Sequence, residues 1–92
     1  MRLSRSKARD EVYKLGNWRL RESVISRTFV FADFAHAMRF VNRVARLAEA
    51  ANHHPDITIN YNRVKLALTT HDEGGLTMKD FGLAGRINKL VK

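Results

Sequence analysis

The sequence predicts an α+β fold, a four-stranded antiparallel sheet with three helices packed on one face, in the order α-β-β-α-β-β-α. Two observations carry this. Three segments repeat apolar residues at helical spacing, and the two stretches between them alternate apolar with polar residues. Each alternating stretch is broken once by a short turn, which makes it an antiparallel hairpin with one apolar face. One-sided hairpins and one-sided helices bury their apolar surfaces most simply as two stacked layers, leaving the outer sheet face to water or a partner.

Taken in order, residues 4–15 carry Ala8, Val12 and Leu15 at helical spacing among Arg5, Lys7, Arg9, Glu11 and Lys14, and Gly16-Asn17 is the stop signal. Over 18–31 the period changes: Ile25, Phe29 and Phe31 are separated by Arg27 and Val30, giving two strands joined around 22–24. Asp33 is placed to cap a helix over 34–52. On a wheel, Phe34, Ala37, Met38, Phe40, Val41, Val44, Ala45, Leu47, Ala48 and Ala51 fill half the circumference, opposite a stripe of His36, Arg39, Arg43 and Arg46. Pro55 disfavours the helical region for His54, so the helix is predicted to end at about His53 and the chain to leave it extended. Residues 57–61 and 63–70 form the second strand pair, with Val64, Leu66 and Leu68 on one face, Arg63, Lys65 and Ala67 on the other, and a tight turn near 60–62. After His71-Asp72-Glu73-Gly74-Gly75, Thr77 with Asp80 three residues on begins a last helix with Leu83, Ala84, Ile87, Leu90 and Val91 inward.

A chain of 92 residues, 45% hydrophobic and 28% charged, is expected to fold as a single domain over 1–92. The absence of cysteine excludes disulfides, thiolate metal clusters and a nucleophilic thiol. No uncharged run approaches the roughly 18 apolar residues of a membrane span and no secretory h-region begins the chain, so no membrane association and a cytoplasmic location are expected. Seventeen Lys and Arg against nine Asp and Glu give a net charge of +8, which keeps nucleic acid and acidic proteins among the possible partners. The arginine stripe, however, comes with no nucleic-acid-binding motif and reads as a solvated helix face. A small antiparallel sheet also leaves an unpaired edge and an open face, from which a homodimer or homotetramer is expected.

Three of the four histidines, His53, His54 and His71, fall at junctions between elements, where sites are built. In a short second hairpin, the start of its first strand and the end of its second lie side by side, which draws His71 toward the His53-His54 pair. Neutral and protonated imidazole are both available near pH 7, so such a cluster suits an elimination in which one group protonates a leaving hydroxyl and another accepts a proton. Three imidazoles also suit zinc. Here His53 and His54 are consecutive, their side chains diverge, and no H-x-x-x-H helix pair is present, so no metal is expected. His36 belongs to the solvent stripe. Glu49, one turn before His53, is placed either to hold an imidazole or to pair with Arg46 or a sheet residue. Asp80 is expected to cap the last helix, Pro55 to end the long one, and Trp18 and Tyr61 to serve in core and hairpin.

The run Glu49-Ala50-Ala51-Asn52-His53-His54-Pro55-Asp56, followed by Tyr61, Thr70-His71-Asp72, Gly75-Leu76-Thr77 and Asp80, resembles the signature of the pterin-4a-carbinolamine dehydratases. The resemblance extends over nearly the whole chain, through Trp18, residues 25–34 and residues 80–84. It implies the same sheet-and-helix fold and a hydro-lyase acting on 4a-hydroxytetrahydropterin (4a-hydroxytetrahydrobiopterin), the product left by aromatic amino acid hydroxylases. The product is a quinonoid dihydropterin, recycled by a separate reductase. His53 and His71 correspond to the family's acid/base pair, and His54 to a pterin-binding partner with a share in catalysis. Substrate contacts fall to Asn52, Thr69, Thr70, His71 and Asp72; Asn52 stands where some members have Asp, and still accepts a hydrogen bond. No cofactor is implied, since the tetrahydropterin derivative is itself the substrate. Other duties open to the family are stabilising a transcription factor's dimer, assembly of another enzyme, and molybdopterin metabolism.

Overall fold

The computed structural model describes residues 1–91. In chain order the elements are α1 (Arg5–Leu15), β1 (Arg19–Arg21), β2 (Val24–Val30), α2 (Phe34–Ala51), β3 (Asp56–Asn60), β4 (Arg63–Leu68), a 3₁₀ turn (His71–Glu73) and α3 (Met78–Lys89). The four strands form one antiparallel sheet in the order β1-β2-β4-β3, so the two hairpins meet through β2 and β4. The predicted fold class and element order are those observed.

Both hairpins close through two residues. Arg21 pairs with Val24 and Asn60 with Arg63, leaving Glu22-Ser23 and Tyr61-Asn62 as the turns. Glu22 and Tyr61 take φ of 54° and 53°, the left-handed value that lets a two-residue turn follow the twist of its strands. Tyr61 is therefore a turn residue rather than the end of a strand, and β3 starts one residue earlier than predicted. β4 stops at Leu68 instead of Thr70, because Thr70 leaves the ladder to bridge Gly75 across the 3₁₀ turn.

Ile25, Phe29, Val64, Leu66 and Leu68 make the inner sheet face and are buried beneath Ala8 of α1, Ala37, Phe40 and Val44 of α2, and Phe81, Leu83, Ala84 and Ile87 of α3. Phe40 packs on Phe29 and Phe31, ring centroids 4.7 and 4.9 Å apart. Arg27 shares this inner face, since it lies two residues from both Ile25 and Phe29. It is not a solvent-facing spacer. Its guanidinium lies over the Phe29 ring at 4.4 Å and donates to Asn88 Oδ1 at 2.7 Å, the oxygen that also accepts from Trp18 Nε1–H at 2.7 Å. Burial pulls the Arg27 pKa below its ordinary value.

Ser4 and Asp33 cap α1 and α2 by accepting from the backbone N–H of Lys7 and His36. That backbone bond, aided by the His36 ring, holds the Asp33 carboxyl below its usual range. Phe34 and Ala45, placed on the apolar arc, are exposed, so the buried stripe of α2 is narrower than the wheel predicts. α3 ends at Lys89, leaving Leu90 half-buried and Val91 exposed beyond it.

Candidate active site

The end of α2 decides where the histidines go. The helix stops at Ala51, two residues before the predicted end, and Pro55 is not the cause. Asn52 adopts the left-handed conformation (φ 51°, ψ 43°), its N–H reaches the Glu49 carbonyl, and the His53 N–H reaches the Ala48 carbonyl. These paired bonds form a Schellman motif, and asparagine tolerates the required positive φ better than most residues. Asn52, matched by resemblance to a substrate contact, thus has a backbone task. Pro55 lies two residues beyond the turn.

From this turn the two imidazoles diverge onto different carboxylates. His54 Nε2 meets Glu49 Oε2 at 2.5 Å on the exposed side, which resolves the alternatives for Glu49 in favour of an imidazole. His53 turns inward: its Nε2 lies 2.5 Å from Asp80 Oδ1, with side chains 12% and 0% exposed.

Asp80 is the hub of the site. Its Oδ2 accepts from the Thr77 backbone N–H (3.0 Å), completing the capping box of α3, and from the Thr70 hydroxyl (2.8 Å). Thr70 spends its only proton there, so the Thr77 hydroxyl donates to Thr70 (2.9 Å) and accepts from the Lys79 N–H (3.2 Å). No buried side-chain nitrogen or oxygen of this network lacks a hydrogen-bond partner among the described residues. An ionised carboxylate only accepts, so His53 carries its proton on Nε2 and leaves Nδ1 open. Asp80 was legible as a cap; its hold on His53 was not, because only the folded exit of α2 brings them together.

The same carboxylate organises the other histidine segment. Thr70 immediately precedes His71, which opens the exposed 3₁₀ turn with Asp72 beside it. The turn closes through Gly74, with φ of 74°, and Arg2 donates to the Gly74 carbonyl at 3.3 Å. Thr69, another position matched to substrate contact, uses its hydroxyl on the Ser23 carbonyl at 2.6 Å, tying the end of β4 to the first hairpin. The fold therefore brings His53 and the Thr70-His71 segment to one buried group and sends His54 outward. Among the described residues, no group of three His, Cys, Asp or Glu side chains is arranged to hold a metal ion. Beside His53, a groove of about 300 Å³ opens between the end of α2 and α3. No helix among the described residues is long and apolar enough to cross a membrane.

Comparison with known proteins bears on the family and the fold. A protein of Chloroflexus aurantiacus named "Putative pterin-4-alpha-carbinolamine dehydratase" is 53% identical over 90 residues, covering 98% of this chain and 97% of its own length. A Sulfurisphaera tokodaii protein of the same name is 44% identical at the same coverage. The crystal structure of a transcriptional coactivator/pterin dehydratase from Brucella melitensis superposes with a TM-score of 0.95, at 34% identity over 100% of both chains. A pterin dehydratase-like protein identified as a RuBisCO assembly factor in the alpha-carboxysome shares the fold, with a TM-score of 0.65 and 22% identity over 79% of this chain and 84% of its own. The sequence profile described as Pterin 4 alpha carbinolamine dehydratase matches residues 1–90, and the chain belongs to that family.

Proposed function

We propose that the chain is a hydro-lyase that dehydrates 4a-hydroxytetrahydropterins, with His53 and His71 as the acid/base pair and His54 as a pterin-binding partner. The observation that carries this is the buried Asp80 carboxylate, tied directly to His53 and, through Thr70, to the segment that begins with His71. In the reaction the C4a–O bond breaks as the hydroxyl takes up a proton and leaves as water. A proton leaves the adjacent ring nitrogen, and a C=N double bond forms between the two atoms. Only two proton transfers are needed, which is work for positioned imidazoles near neutral pH. His53, with Nε2–H turned to Asp80, offers Nδ1 as the base; His71, exposed at its turn, delivers the proton to the hydroxyl. The enzyme is proposed to work in the cytosol without a resident cofactor, and as a homo-oligomer.

Replacing His53 or His71 by Ala is expected to lower kcat by about 10²- to 10⁴-fold, the usual worth of a positioned proton donor or acceptor. Replacing His54 raises KM at least as much as it lowers kcat, and replacing His36 changes neither. Rates are measured above the spontaneous dehydration, with circular dichroism confirming each fold. Wild-type kcat in both His53→Ala and His71→Ala overturns the assignment.

A further inference from the structure

The groove beside His53 has a composition that the dehydration chemistry does not require. Besides His53 and Leu83 it is lined by Ala50 and Ala51 at the end of α2 and by Lys79, Gly82 and Arg86 of α3. Lys79, Gly82 and Arg86 follow the spacing i, i+3, i+7 and so share one face of α3. Lys79 and Arg86 are roughly 10 Å apart along the axis at about 1.5 Å per residue, within reach of a common group through two long side chains. Both are exposed, and neither forms a salt bridge among the described residues, although other lysines of this basic chain do. No carboxylate lines the groove.

Gly82 is informative. It lies inside α3, where glycine is less stabilising than alanine, and a Cβ built there meets nothing within 4 Å. Nothing in the fold itself demands the missing side chain. The space it leaves opens into the groove, between two unpaired cations and next to an imidazole.

We propose that this groove is a subsite for a phosphate carried on the side chain of the pterin, held by Lys79 and Arg86 while the ring lies at His53. The inference rests on the dehydratase proposal for the position of the ring. Compact phosphate oxygens suit two cations that flank Gly82 along one helix face, one a three-donor ammonium and the other a planar guanidinium.

The test compares 6-hydroxymethyl-7,8-dihydropterin with its phosphate monoester in equilibrium titrations at physiological ionic strength, and the corresponding 4a-hydroxytetrahydropterins in the dehydration assay. Lys79→Ala and Arg86→Ala are each expected to weaken the ester by about tenfold, the scale of one lost charge-assisted hydrogen bond, and to leave the parent alcohol unchanged. Gly82→Glu places a carboxylate four residues before Arg86, the favourable order on a helix, so it is expected to keep or raise Tm while abolishing the preference for the ester. Arg43→Ala, on the outer stripe of α2, controls for the loss of one positive charge. Equal binding of ester and alcohol by the wild type, or variants that weaken the ester no more than Arg43→Ala does, overturns the subsite. If the wild type shows no dehydration but still prefers the ester through Lys79 and Arg86, the subsite stands and the dehydratase proposal falls.

Discussion

At the scale of single residues, Asp80 holds the most consequences per atom. Its Oδ1 meets the Nε2–H of His53, and its Oδ2 takes two donors from Thr70 and Thr77. Asp80→Asn keeps the shape of the side chain but replaces one oxygen by an NH₂ donor. If the amide oxygen stays on Thr70 and Thr77, the NH₂ faces His53, whose Nε2 must then accept and whose proton moves to Nδ1. The variant is expected to lose about 1–3 kcal/mol of stability, the cost of a disturbed buried hydrogen bond. It is also expected to move the His53 proton between ring nitrogens, seen in imidazole ¹⁵N shifts, and to lower kcat more than it raises KM. Unchanged ring-nitrogen shifts would show Asp80 to be a helix cap and nothing more. The residues of the proposed site are singled out by residue type and junction position: His53, His54 and His71 each stand where a periodic pattern breaks. Their partners are not, because the direction of a side chain after a helix end depends on one backbone angle, and sequence reading treated Pro55 as the stop instead of Asn52.

At the scale of elements, α2 shows why types of structure were legible and ends were not. Its apolar spacing and the Asp33 cap fix the helix and its start, as Thr77 and Asp80 do for α3. Its end rests on a left-handed residue that several sequences would satisfy. The 3₁₀ turn at His71–Glu73 left no periodic signal, being a single turn. Asn52→Gly is therefore expected to leave stability within a few tenths of a kcal/mol, since glycine adopts positive φ freely. Asn52→Val, β-branched at φ 51°, is expected to cost about 1–2 kcal/mol. It also turns the His53-His54 exit, so its kcat falls in assays run well below its Tm. Equal denaturant midpoints for the two variants would remove the left-handed stop as the cause of the helix end.

At the scale of the whole molecule, the helices do not cover the β3 edge. Every residue of β3 is exposed, and Ile57 and Ile59, on the side of the sheet that carries the core, remain 38% and 39% exposed. An edge with free backbone groups and two open isoleucines invites a second copy. Sedimentation equilibrium at micromolar concentration is expected to give a multiple of 10.6 kDa; the 10.6 kDa species alone would rule this out. The far end of α3 has a different character. There Asn88 fastens the helix to Trp18 and to Arg27 on the sheet. An amide and an indole do not ionise in the working range, and a guanidinium stays protonated throughout it. Roughly 12 Å along the same helix, at about 1.5 Å per residue from Asp80 to Asn88, sits the carboxylate that meets His53. One end of α3 is thus anchored by contacts indifferent to acidity, while the other carries a carboxylate paired with an imidazole. A disturbance at the Asp80 end, such as Asp80→Asn, meets a rod already clamped at its opposite tip, so it stays local instead of loosening the helix from the sheet.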